Sequence, residues 1–214
     1  MRSIALIDYG SGNLRSAEKA LLKAGGALAS ACAIEVTSDP EAIARADAVV
    51  LPGVGAFAAC MGLIDAKDGL REAIAEAVQV RGAPFLGVCV GMQLLASAGL
   101  EFGETPGFDW IAGEVRRLEP KGRLFKVPHM GWNALEAVSD HPLFTDVPAG
   151  SHMYFTHSFA FHPRDGADVA ALVDHGGRFA AAVARDNLAG VQFHPEKSQS
   201  AGLRLLANFL EWRP

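Results

Sequence analysis

Cysteine is scarce in this chain: three residues in 214, Cys32, Cys60 and Cys89, at unrelated spacings. That is too few for a disulfide framework, and it fits a reducing compartment, so the cytoplasm is the expectation. Excess positive charge is missing too. Lys and Arg number 19 against 24 Asp and Glu, giving a formal charge of -5, and the basic residues are scattered, which leaves no footprint for nucleic acid or an anionic membrane surface. No apolar run approaches membrane-spanning length, because glycine, proline and charge interrupt each one. The opening run Ile4-Ala5-Leu6-Ile7 stops at Asp8, too brief for the core of a signal peptide. Repeats, low-complexity tracts and linkers are absent, so residues 1–214 read as one domain. Three of the seven histidines, His152, His157 and His162, recur every fifth residue, which fits no common metal-ligand spacing, and no metal is expected.

What the chain does have is 50% hydrophobic content, arranged through the first hundred residues as alternating strands and helices. Ile4–Ile7, Ile34–Thr37, Ala48–Leu51 and Phe85–Val88 read as buried strands, with helices near Leu14–Ala24, after Asp39-Pro40-Glu41 and near Leu70–Gln79. Residues Gly25 to Ala33 read as a connection. The turn Tyr9-Gly10-Ser11-Gly12-Asn13 carries half of a dinucleotide fingerprint, but Arg15 stands where its third glycine belongs, and no nucleotide or other cofactor is expected. After Gly99 come shorter β-like runs that look antiparallel: Gly113–Leu118, Phe125–Val127, Met153–Phe161, Val169–Val173, Phe179–Ala184 and Ala189–Phe193. Asp174-His175-Gly176-Gly177 reads as a hairpin turn, and a last helix opens at a Ser198 or Ser200 cap. The expected fold is α/β, a mostly parallel open sheet flanked by helices, with an antiparallel extension in the C-terminal half.

Cys89 stands where a strand gives way to a helix, in Gly87-Val88-Cys89-Val90-Gly91-Met92-Gln93. Glycines two residues to either side suit a nucleophile elbow, which holds its reactive side chain above the sheet on a strained backbone. A thiol there also meets unpaired helix amides that favour the thiolate. On this segment alone a buried small hydrophobe fits equally well. A thiolate nucleophile needs a base held by a third polar group. His194, in Gln192-Phe193-His194-Pro195-Glu196, follows a strand-like run, and Pro195 biases it to an extended conformation. At period two, Glu196 then lies on the same side and can hold the ring. Pro52-Gly53-Val54-Gly55 adds a glycine-bracketed loop at the carboxyl end of a strand, where open α/β sheets bind ligands.

Taken together, this loop, the elbow and His194-Pro195-Glu196 before a final helix resemble the class I (triad) glutamine amidotransferases over essentially the entire chain. The resemblance implies Cys89 as nucleophile on the side-chain amide of L-glutamine, His194 as general base and acid, and Glu196 as its orienter. It also implies that backbone amides of Val90 and of Gly53-Val54-Gly55 hold the oxyanion, and that Gln93, with the His157 and Ser158 backbone, binds the glutamine amino and carboxylate groups. Within that family the chain is most similar to the glutaminase subunits of imidazole glycerol phosphate synthases, on the strength of Asp8-Tyr9-Gly10-Ser11-Gly12-Asn13, Pro52-Gly53-Val54-Gly55-Ala56-Phe57, Pro128-His129-Met130-Gly131-Trp132-Asn133 and Tyr154-Phe155-Thr156-His157-Ser158-Phe159. That similarity implies a heterodimer with a cyclase subunit, a (β/α)8 barrel that receives ammonia through an internal passage. Asn13, Trp132, Tyr154 and Lys197 would lie near the docking face. Two readings stay open beside it: the glutaminase of another synthase, making anthranilate, aminodeoxychorismate or pyridoxal phosphate, and a catalytically silent regulatory module.

Overall fold

A computed structural model describes residues 1–26, 28 and 31–214. Part of the Gly25 to Ala33 connection therefore lies outside the described residues. The first half alternates as expected: β1 (Arg2–Ile7), α1 (Leu14–Gly25), β2 (Cys32–Thr37), α2 (Pro40–Arg45), β3 (Ala48–Gly53), α3 (Phe57–Asp65), α4 (Leu70–Ala75), β4 (Phe85–Cys89) and α5 (Val90–Gln93). One π turn, Glu76–Val80, extends α4. The second half is mainly strands: β5 (Ala98–Gly99), β6 (Thr105–Pro106), β7 (Gly113–Arg117), β8 (His129–Val138), β9 (His152–His157), β10 (Phe159–Pro163), β11 (Val169–Asp174), β12 (Arg178–Arg185) and β13 (Leu188–Val191), closed by α6 (Gln199–Glu211).

Nine strands form one sheet in the order β2-β1-β3-β4-β13-β12-β11-β8-β9, and four form a second, β10-β7-β5-β6. From β2 to β13 the large sheet is parallel, and from β13 to β9 antiparallel. Every residue of β3 and β4 is buried, as their unbroken apolar runs require of strands covered on both faces. Among the described residues no helix is long and apolar enough to cross a membrane.

Several sequence expectations are corrected here. Ala189–Phe193 does not extend the antiparallel part alone, because β13 pairs parallel with β4, residue by residue from Leu188–Phe85 to Val191–Val88. This brings the segment around His194 beside the elbow. Phe125–Val127 is a loop, and the strand begins after Pro128, at His129, since proline offers no N–H to a ladder. Met153–Phe161 is two strands, with Ser158 as the break: β9 ends the large sheet and β10 joins the small one. Ser198 does stand at the N-cap of α6, but its hydroxyl makes no cap bond; it donates to the His194 carbonyl at 2.7 Å and accepts from Tyr154 N–H at 3.0 Å. The hairpin at 174–177 is present, with Asp174 Oδ1 accepting from Gly177 N–H at 2.9 Å.

Candidate active site

The order of strands places a topological switch between β1 and β3, and at their carboxyl ends the loops after Ile7 and Gly53 meet. Ser11 Oγ donates to the Val54 carbonyl at 2.6 Å and accepts from Val54 N–H at 3.3 Å. The Val54 amide, one of the expected oxyanion donors, is therefore engaged by Ser11 in this structure. Cys60 is buried and also donates to the Val54 carbonyl, at 3.5 Å.

Cys89 ends β4 with φ 56° and ψ -112°, a conformation that costs an L-residue energy and turns it sharply out of the strand. The glycines make the turn possible. A Cβ on Gly87 would run into the Gly91 carbonyl, one on Gly91 into the Leu51 carbonyl, and one on Gly53 would lie 2.7 Å from the Gly91 nitrogen. The elbow is thus wedged against β3 by backbone contact. The helix after it is shorter than its apolar spacing suggests: α5 has four residues, because the carbonyls of Leu94, Leu95 and Ala96 accept from residues 108–111 instead of prolonging the helix. Any support for a thiolate from this side comes from individual amides near Val90 and not from a long helix dipole.

His194 follows β13 in an extended conformation, and Pro195–Lys197 forms a 3₁₀ turn. His194 Nδ1 and Glu196 Oε1 lie 3.0 Å apart, both side chains about 95% buried, with exposures of 4% and 5%. The pairing foreseen on an extended strand is thus made across this turn. Burial disfavours a charged ring, but the Cys89 sulfur and the Glu196 carboxylate outweigh it and hold the His194 pKa up at about 9. Nε2 of the ring is buried and has no hydrogen-bond partner among the described residues, which leaves it free for the Cys89 proton.

A cleft of about 320 Å³ gathers Val54, Gly55, Cys89, Val90, Gln93, His157, Ser158, His194 and Lys197. Nine of the residues singled out from sequence thus share one cavity. Glu196 and Gly53 lie behind it, lining with Asn13 and His194 a smaller cavity between α1 and α6. Sequence reading missed Glu101, which lines the cleft and accepts from Phe57 N–H at the start of α3 at 2.9 Å, and it missed Ser11 and Gln192. Nothing local marks Glu101, whereas Gln192, a polar residue inside an apolar run, was there to be noticed.

The side chain of His157 does not face the cleft as a free group. Its Nδ1 donates to the Phe159 carbonyl at 2.8 Å, and its Nε2 lies 3.1 Å from His129 Nδ1, while His129 Nε2 lies 3.2 Å from Asn133 Nδ2. With Phe159 O a pure acceptor and Asn133 Nδ2 a pure donor, both imidazoles have one tautomer each and are neutral. Burial and neighbouring imidazoles push their pKa values down, to about 4 for His157 and about 3 for His129.

Trp132 and Tyr154 are not core aromatics. They are register partners on β8 and β9 with ring centroids 5.9 Å apart; Trp132 is 46% exposed, and Lys197 Nζ lies 5.5 Å over the Tyr154 ring. Asn13 stands at the N-terminus of α1 and lines the smaller cavity together with Gly53 and Glu196.

Residues 5–212 match the family model for glutamine amidotransferase class-I. The imidazole glycerol phosphate synthase subunit HisH of Caulobacter vibrioides is 60% identical over 214 residues, covering all of both chains. Its counterpart in Rhodospirillum rubrum is 54% identical over 212 residues, covering 99% of each. A solved glutamine amidotransferase superposes with a TM-score of 0.70 at 19% identity, covering 97% of each chain, a likeness that speaks for the fold. A strained cysteine at the end of a central strand, a buried histidine–glutamate pair beside it, and a family match that spans nearly the whole sequence place this chain in the class-I glutamine amidotransferase family.

Proposed function

We propose that the chain, as one domain over residues 1–214, is the glutaminase subunit of imidazole glycerol phosphate synthase. It hydrolyses L-glutamine to glutamate and ammonia and hands the ammonia to a cyclase partner. The observation that carries this reading is the meeting of Cys89 with His194 in one cleft, with Glu196 holding the ring from behind it. Glu196 accepts from Nδ1–H, fixing the tautomer in which Nε2 takes the Cys89 proton. The thiolate attacks the carboxamide carbon, His194 returns the proton to the leaving nitrogen, and ammonia departs from a γ-glutamyl thioester. Water, activated by the same ring, then hydrolyses the thioester. Val90 N–H stabilises the oxyanion, joined by Val54 N–H once it leaves Ser11; one such donor is typically worth about 3–4 kcal/mol. Gln93 and the backbone of His157 and Ser158 hold the amino acid end of the substrate.

The partner is a (β/α)8 cyclase in a cytoplasmic heterodimer, docking over Asn13, Trp132, Tyr154 and Lys197. Ammonia set free in water is protonated and loses its nucleophilicity, so a sealed passage between the two sites preserves it. Mixing the purified chain with the cyclase and its phosphoribulosyl formimino nucleotide, and measuring glutamate, tests this reading. Glutamate release should rise when both are present and vanish in Cys89→Ala, which should still support ammonia-fed cyclase turnover. Normal glutaminase turnover in Cys89→Ala would overturn it.

A further inference from the structure

Gln192 is fully buried and takes no part in the proton transfers described above. It stands one residue beyond β13, directly after the Val191–Val88 pair, and so falls beside the nucleophile. A carboxamide in an apolar sheet is costly unless its two donors and its oxygen are matched. Here Nε2 lies 3.7 Å from Cys89 Sγ, and Oε1 lies 2.9 Å from Gln93 Nε2.

Oxygen and nitrogen of a carboxamide have nearly the same shape, so the network must decide which of them meets the sulfur. Backbone decides it. Gln93 Nε2 is also 2.9 Å from the Phe159 carbonyl oxygen, which can only accept, so that end of Gln93 is nitrogen. The second N–H of the same nitrogen points to Gln192, whose facing atom must therefore be oxygen. The Gln192 NH₂ is left for the sulfur. His157 Nδ1–H, on the same Phe159 carbonyl, holds this acceptor in place.

We propose that Gln192 is a catalytic residue of the glutaminase reaction, donating an N–H to the Cys89 sulfur and stabilising the attacking thiolate. The proposal rests on the reading of Cys89 as nucleophile. A donor of this kind favours the anion over the thiol and over the thioester, in which the sulfur carries no charge. It therefore assists both formation of the nucleophile and its release when the thioester is hydrolysed.

The test replaces Gln192 by methionine, Gln192→Met, which keeps length and removes the donor. Alkylation of Cys89 by iodoacetamide is followed against pH on the Cys89 peptide by mass spectrometry, alongside glutamine kinetics with the cyclase and its nucleotide. The expected result is a midpoint about one pH unit higher, the equivalent of a tenfold loss of thiolate, with kcat down about tenfold and KM within about twofold. An unmoved midpoint overturns the proposal, whether kcat is kept or lost. In the unsubstituted chain, the ¹⁵N-labelled side-chain resonances of Gln192 should shift with the midpoint of Cys89 alkylation. Resonances flat through that pH also overturn it, and this measurement needs no variant to fold. Failure of the nucleophile reading looks different: Cys89→Ala would retain turnover.

Discussion

Replacing Ser11 by alanine removes the hydroxyl that engages both backbone groups of Val54. Two bonds to Val54 are lost, a short one to its carbonyl at 2.6 Å and a long one from its N–H at 3.3 Å, along with a weak contact to Cys60 Sγ at 3.7 Å. A net hydrogen bond stabilises by about 1 kcal/mol, and the longer one contributes about half of that, so the present arrangement loses about 1.5 kcal/mol. That corresponds to roughly tenfold in the equilibrium between a Val54 amide held by Ser11 and one turned toward the substrate. Cys60 Sγ still reaches the Val54 carbonyl at 3.5 Å, a weak donor that trims the effect to about fivefold. Glutamate release by the chain alone should rise about five- to tenfold in Ser11→Ala, because the competent arrangement is scarce there. On the proposed function, binding of the cyclase and its nucleotide releases Val54 from Ser11, so turnover with both bound should be unchanged. A basal rate equal to or below that of the unsubstituted chain, in a folded variant that binds the cyclase normally, would refute the reasoning.

Gly91→Ala should destabilise the chain by at least about 3 kcal/mol in urea unfolding, since its Cβ meets the Leu51 carbonyl and backbone cannot give as a side chain can; a stable variant with normal turnover would contradict the wedged elbow. Glu196→Gln removes the carboxylate that helps raise the His194 pKa, so NMR titration of that ring should show a value below the present figure of about 9, together with reduced turnover. An unshifted titration would show that Glu196 does not orient the base. His157 and His129 bind protons near 6.5 once unfolded but only near 4 and 3 when folded, so between pH 6.5 and 4 the unfolded chain holds more protons. Stability should be fully present above pH 6.5 and fall on acidification through that window, by at most about 1.4 kcal/mol per pH unit for each ring. Urea unfolding at pH 7, 6 and 5 measures this, and a flat profile would count against two neutral imidazoles.

The parallel half of the fold was readable because strands buried on both faces leave unbroken apolar runs, as Ala48–Leu51 and Phe85–Val88 do. The elbow was readable because its glycines mark a place where backbone touches backbone. Pairing was not. A strand of four apolar residues such as Leu188–Val191 carries no sign of which neighbour it will join, and its parallel seat beside β4 emerges only from the assembled sheet. The long strand His129–Val138 was overlooked because only two of its ten residues are buried and its glutamate and glycine weaken the local pattern. The shortness of the helix after Cys89 was not readable, because spacing cannot reveal that residues 108–111 capture the carbonyls of Leu94, Leu95 and Ala96. The hold of Ser11 on Val54 joins segments 43 residues apart, a distance over which no local signal travels.

Ser158, where one extended run leaves the large sheet and enters the small one, has a consequence for how such a catalyst diversifies. The wall of the cleft at Ser158 and Phe159 is carried by both sheets, whereas the sulfur and the imidazole belong to the large one alone. Remodelling the four short strands would therefore reshape the mouth that admits a side-chain amide while leaving in place the strands that carry Cys89 and His194. Lineages of this architecture can change what they admit without relearning how to cut it.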